Sequence, residues 1–112
     1  LAAAYAEAAG VRDVFFGAQK QDKYGYWDCA IDFVDKINNV LSLNRREPVI
    51  IHAPFVEMTK TQVLETGLDI SVDYAHTWTC YRGGKIPCGT CPSCMERAAA
   101  FHNLGKIDPL VD

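Results

Sequence analysis

Four cysteines toward the C-terminal end, Cys80, Cys88, Cys91 and Cys94, restrict the folds open to this chain more than any other residues do. Seven residues separate Cys80 from Cys88, and two separate each of the next pairs. Such spacing lets adjacent turns aim three thiolates at one point, and a fourth from a neighbouring loop closes a tetrahedron. Zn²⁺ suits that arrangement, because it has no d-electron preference of geometry and binds thiolate sulfur strongly. Disulfides and an iron–sulfur centre are competing uses of the same thiols, and the spacing ranks them below zinc. With four sulfur ligands no position stays open for water, so the expected centre is structural rather than catalytic.

Composition narrows the class further. The 112 residues amount to one domain or part of one, with 49% hydrophobic and 22% charged residues, an ordinary soluble balance. The formal net charge is −3, and counting four bound thiolates and one Zn²⁺ takes it to about −5. That sign argues against sequence-independent nucleic-acid binding, which needs a basic surface. A fifth cysteine, Cys29, stands alone. An odd count with metal spacing fits a reducing, cytoplasmic setting better than secretion. No apolar run reaches the roughly 18 residues of a membrane helix. The opening Leu1-Ala2-Ala3-Ala4-Tyr5 lacks an initiator Met and a basic n-region, and is expected to be the interior of a longer polypeptide rather than a signal peptide.

Along the chain, helical and buried-strand patterns alternate. Ala2 to Ala9 is helix-forming and closes at Gly10; Val11 to Phe16 reads as a short strand ending at Gly17. Residues 18 to 28 form a polar, aromatic loop. Ile31, Val34, Ile37 and Leu41 then place an apolar stripe on a helix, with Asp28 as its expected N-cap. Val49-Ile50-Ile51 is a second strand, stopped by Pro54. Thr59 and Gln62 fit a capping box, opening a helix expected to end near Gly67. Pro92 suits the first turn of a last helix, stopped at Gly105. The alternation points to an α/β fold, a parallel sheet flanked by helices. Residues 1–75 are expected to form the α/β portion, and 76–112 a zinc-binding helical segment packed on it.

Ligands of open parallel sheets gather beyond the carboxyl ends of the strands. One such segment, Gly17 to Cys29, holds Asp22, Tyr24, Tyr26, Trp27 and Asp28. Interleaved carboxylates and rings can hold a flat heterocycle by stacking and by accepting from ring N–H groups. The plainer alternative is a polar loop with Asp28 capping a helix and Trp27 plugging the core. The other segment, Pro54 to Lys60, leads into a helix N-terminus. Lys60 there runs against the helix dipole, which a bound phosphate would offset, although most exposed lysines are simply solvated. His76 is a conceivable metal ligand that Cys80 makes unnecessary. Arg82, Lys85 and Arg97 flank the cysteines and are expected to offset the charge of a tetrathiolate centre. Cys29, with no histidine in its own loop, reads as a free thiol.

These residues together resemble a known family. Thr77-Trp78-Thr79-Cys80-Tyr81, Cys88-Gly89-Thr90-Cys91-Pro92-Ser93-Cys94, Arg97, Phe101 and Asp108-Pro109 are similar to the C-terminal part of the 7-cyano-7-deazaguanine synthases of queuosine precursor synthesis. Gly17, Asp22, Gly25, Tyr26, Asp28 and Cys29 match that family's Gly-x-Asn-x-x-Asp-x-Ser-Gly-Tyr-Pro-Asp-Cys-Arg signature. Pro54 and Thr59-Lys60 resemble its Pro-Leu-x-x-x-(Ser/Thr)-Lys segment. The resemblance implies an adenine-nucleotide α-hydrolase-like fold and an ATP-dependent ligase. Such an enzyme joins 7-carboxy-7-deazaguanine and ammonia into the nitrile through an activated carboxylate and an amide. It implies Cys80, Cys88, Cys91 and Cys94 as zinc ligands and Asp22, Tyr26 and Asp28 as substrate contacts. It also implies Lys60 as a nucleotide-phosphate contact, ATP as co-substrate and a homodimer.

The chain departs from the pattern at Gln19, Tyr24, Trp27 and Ala30, where the family has Asn, Ser, Pro and Arg. The family's Ser-Gly-Gly-x-Asp-Ser pyrophosphate loop does not occur in these 112 residues. The resemblance therefore implies the zinc-bearing portion, inactive by itself. Two other readings stay open at this point: a stand-alone zinc-binding module without catalysis, and a related ATP pyrophosphatase acting on another acceptor.

Overall fold

A computed structural model describes residues 1–111; Asp112, the last residue of the expected zinc-binding segment, lies outside the described residues. Two compact units divide the chain, Leu1–Met58 and Thr59 onward. The first carries α1 (Ala2–Ala8), β1 (Asp13–Phe15), α2 (Ile31–Leu41) and β2 (Ile50–His52). The second carries α3 (Lys60–Asp69) and α4 (Pro92–Asn103). Short 3₁₀ turns occur at Asp22–Tyr24, Trp27–Cys29 and Tyr74–His76. None of these helices is long and apolar enough to cross a membrane.

β1 and β2 pair in parallel, with Asp13 opposite Ile50, Val14 opposite Ile51 and Phe15 opposite His52. The expected parallel sheet with flanking helices is present, as two strands. The outer edge of β2 is closed by a side chain. Asn38 of α2 donates its amide to the Ile51 carbonyl at 2.9 Å and accepts the Ile51 N–H at 2.8 Å. One amide thus mimics a neighbouring strand and removes an open pair of ladder groups. Ala6, Ala18, Val34, Val49 and Val56 are buried in this unit. On the Phe15 side of the sheet, Phe15 stays exposed and stacks on His52, whose Nε2 meets Asp13 Oδ1 at 2.7 Å.

Helix ends follow local chemistry closely. α1 stops at Gly10 (φ +69°), with Val11 N–H donating to the Ala6 carbonyl and Gly10 N–H to that of Glu7. α4 stops the same way at Gly105 (φ +62°), as expected from its sequence. The capping box of α3 forms: Gln62 N–H donates to Thr59 Oγ1 at 3.3 Å, and Thr59 N–H to Gln62 Oε1 at 2.8 Å. Its far end differs from expectation. α3 runs through Gly67 to Asp69, and Ser71 (φ +62°) takes the left-handed position that usually holds glycine. Gly67 has another task, since a Cβ there would overlap the Tyr74 ring.

The start of α2 also differs. Ala30 is its N-cap, while Asp28 belongs to the preceding 3₁₀ turn, so the expected Asp28 cap does not form. In the second unit Leu64 of α3 packs with Ala100 and Phe101 of α4, and Leu68, Tyr74 and Leu104 close around them. Tyr74 meets Phe101 edge-on, ring centroids 5.7 Å apart. α3 thus packs against α4 within the unit that carries the cysteines.

Candidate functional site

Cys80 comes from an extended segment after the Tyr74–His76 turn, Cys88 and Cys91 from the following loop, and Cys94 from the first turn of α4. Their four Sγ atoms lie within 4.8 Å of one another. The Cys88 and Cys94 sulfurs are 4.0 Å apart. A tetrahedral centre with metal–sulfur bonds near 2.3 Å needs sulfurs about 3.8 Å apart, so the cluster fits a metal after small adjustment. No disulfide joins these cysteines. Cys80, Cys91 and Cys94 are buried and Cys88 is half-buried.

The backbone around the cluster aims donors at sulfur. Cys91 N–H points at Cys88 Sγ (3.3 Å), Cys88 N–H at Cys80 Sγ (3.4 Å), and the Thr90 hydroxyl at Cys88 Sγ (3.7 Å). The Thr90 and Cys91 N–H groups, with the Thr90 hydroxyl, pull the Cys88 thiol down to about 6. Burial and the neighbouring Cys91 sulfur push Cys94 up to about 12. The Tyr81 and Cys94 N–H groups draw Cys91 down. Metal binding requires all four as thiolates, and the N–H donors spread part of that negative charge.

Of the basic residues near the cluster, Arg97 differs from expectation. Arg82 and Lys85 are exposed. Arg97 is buried, and its hydrogen bonds among the described residues all go to oxygen rather than sulfur. Its charge is matched by Asp108, so direct compensation of a thiolate centre is not its role. His76 is exposed and pairs with Asp73 at 2.9 Å, outside the cluster.

The aromatic and acidic loop lies in the first unit. Asp22 Oδ2 accepts the Gln19 N–H at 3.0 Å, and the Asp22 carbonyl accepts from Gly25 and Tyr26, folding the loop into a tight turn. Tyr24, Tyr26 and Asp28 are exposed. Trp27 is 77% exposed and packs edge-to-face with Phe33, ring centroids 5.2 Å apart, so it is no core plug. Cys29 is half-buried, and burial, with the Asp22 and Asp28 charges, raises its pKa and keeps it a thiol. Lys60 opens α3 in the second unit and borders a cavity of about 110 Å³ with Leu64, Tyr74, Thr79 and Phe101. Thr79 Oγ1 is buried there without a partner among the described residues.

The family model described as "Queuosine biosynthesis protein QueC" matches residues 1–105. The chain belongs to the QueC family. It is 46% identical over 110 residues to the 7-cyano-7-deazaguanine synthase of Marinobacter nauticus, covering 98% of this chain and 50% of that protein. It is 41% identical over 110 residues to 7-cyano-7-deazaguanine synthase 1 of Colwellia psychrerythraea, with the same coverage. With the Clostridium kluyveri synthase the identity is 39% over 115 residues, covering 97% of this chain and 51% of that protein. The chain thus spans about half the length of the curated relatives it matches.

Within this QueC-family chain, the sequence reading found the cysteines but missed what surrounds them. The Thr90 hydroxyl and the N–H groups aimed at sulfur follow from loop conformation, which spacing alone does not reveal. The Arg97–Asp108 pair was equally hidden, although Asp108-Pro109 stood out as a motif. An isolated acidic residue eleven positions beyond a buried arginine is the one signal that could have suggested it.

Proposed function

We propose that this chain is the zinc-bearing portion of an ATP-dependent 7-cyano-7-deazaguanine synthase. That enzyme would convert 7-carboxy-7-deazaguanine and ammonia to the nitrile. The observation that carries the reading is the sulfur cluster in a chain whose relatives bear that name: four Sγ atoms within 4.8 Å, in the order and spacing quoted above. Zn²⁺ bound by Cys80, Cys88, Cys91 and Cys94 would have no open coordination position, so it would fix loop structure and take no part in bond making.

In this reading Asp22, Tyr26 and Asp28 meet the deazaguanine. Asp28 offers a free carboxylate to ring N–H and amino donors, and Tyr26 an exposed ring face. Asp22 keeps one oxygen for substrate while the other holds the Gln19 N–H. Lys60, at the N-terminus of α3, meets nucleotide phosphate. The reading also includes a homodimer and a cytoplasmic location, where thiols stay reduced.

The test uses the polypeptide that carries this chain. Incubated with ATP, 7-carboxy-7-deazaguanine and ammonia, it should release AMP and form the nitrile, both detected by mass spectrometry. Asp28→Asn should raise KM for the deazaguanine about tenfold or more. AMP release with another acid, and none with 7-carboxy-7-deazaguanine, would overturn the proposal.

A further inference from the structure

Arg97 lies one turn beyond Cys94 on α4, and each of its N–H donors has a use. Nε and Nη2 donate to the two Asp108 oxygens at 2.5 and 2.7 Å. Nη2 also donates to the Tyr74 carbonyl at 2.9 Å. Nη1 reaches the Thr77 Oγ1 at 2.7 Å and the Thr77 carbonyl at 3.3 Å. The guanidinium is 5.9 Å from the Tyr74 ring centroid and 5.4 Å from that of Phe101. Five donors in a fixed plane thereby tie the 74–77 segment and the Asp108 turn to the helix that bears Cys94.

Thr77 is three residues before Cys80, and that short tether is the only covalent route from the tied segment to the first sulfur. Trp78 tightens it by donating Nε1–H to the Cys80 carbonyl at 2.8 Å. Cys88 and Cys91 reach Cys94 along a short stretch of chain, whereas Cys80 must be brought in from outside that run. A metal could gather all four by itself, but only at the cost of ordering the Cys80 segment when it binds.

Resting on the reading that the cluster holds a metal, we propose that Arg97 is a positioning residue for that centre. It holds the Cys80 segment on α4 through Thr77 and Tyr74, so that the Cys80 sulfur stands beside the other three before metal arrives. The role is mechanical and needs no contact between Arg97 and sulfur. A lysine has one charge but no planar fork, so it cannot reach Asp108, Tyr74 and Thr77 together.

The test titrates the metal-free chain with Co²⁺ and then Zn²⁺ against a chromophoric chelator, following the visible bands of a tetrahedral tetrathiolate cobalt centre. Arg97→Lys should weaken binding roughly 10- to 100-fold and change the bands toward fewer sulfur ligands. Thr77→Val removes, at nearly constant shape, the hydroxyl that accepts from Arg97 and donates to the Tyr74 carbonyl, and should weaken binding several-fold, which keeps the test open if Arg97→Lys does not fold. Leu104→Ala loosens the α3–α4 packing without removing a hydrogen-bond partner of Arg97, and should leave affinity and bands unchanged while lowering Tm. Wild-type affinity and bands in Arg97→Lys and Thr77→Val would overturn the proposal. So would an equal loss of affinity in Leu104→Ala. A wild-type chain that binds neither ion would overturn the metal reading itself, and this inference with it.

Discussion

Asp108 is ionised although only 9% of its side chain is exposed. Burial alone would raise its pKa; hydrogen bonds from Arg97 and the Leu110 N–H, together with the Arg97 charge, outweigh it, and the net shift is downward. A carboxyl depressed on folding adds stability above its unfolded value near 3.9 and loses it as pH falls through the folded value. Stability of the second unit should therefore hold from pH 7 to about 5 and decline below about 4. Asp108→Asn leaves the Arg97 charge buried without its partner, and should cost about 3 kcal/mol at pH 7. Urea unfolding at pH 7 and pH 3.5 would check both, and the variant's loss should shrink at the lower pH. Gly67 illustrates a different residue-scale constraint. Its sequence context reads as a helix stop, yet the residue sits inside α3 against Tyr74. Gly67→Ala, neutral or stabilising in an open helix, should here cost about 1–3 kcal/mol because the Tyr74 ring must move. No local pattern could reveal this, since the requirement comes from a ring seven residues away that folds back over the helix.

Among elements, the helices show which signals are local enough to read. Thr59 and Gln62 satisfy each other's backbone within four residues, and the capping box was legible for that reason. Gly10 and Gly105 were legible as stops because a left-handed residue there needs no side-chain accommodation. Ser71 fills the same position without that freedom, at a cost of about 1 kcal/mol. Ser71→Gly should accordingly raise Tm by a few degrees, measured by thermal denaturation, and leave metal content unchanged. The β2 edge depends on a tertiary contact instead. Nothing in the local sequence marks Asn38, but its amide completes the hydrogen bonding of Ile51. Asn38→Ala should lower stability by about 1–2 kcal/mol, and the bared edge should promote strand-to-strand association. Analytical ultracentrifugation would detect that association, and a strictly unchanged sedimentation profile would show that the amide does not guard the edge.

At the scale of the molecule, two clusters of unlike chemistry stand out among the buried residues of the second unit. Leu64, Ala100 and Phe101 make an apolar cluster that excludes water without help. The other consists of Cys80, Cys91 and Cys94, with Cys88 packed against it. Sulfurs this close gain little from one another as thiols and repel as thiolates, so the second cluster depends on a cation in a way the first does not. Binding free energies of structural zinc, about 10–16 kcal/mol in small peptides at neutral pH, rival the entire stability of an ordinary domain. Removing the metal should therefore release residues 81–91, and spare the packed faces of α3 and α4 together with the segment up to Cys80 that Arg97 holds. Hydrogen exchange before and after dialysis against a chelator would resolve the two. Amides of the cysteine loop should lose protection by orders of magnitude, while those near Ala100 and Phe101 change little. The wild-type chain should carry about one zinc, and Cys91→Ser should lose it and match the chelated pattern without chelator. Uniform loss of protection through both helices would mean that the two clusters unfold as one, and that the apolar cluster cannot stand without the metal.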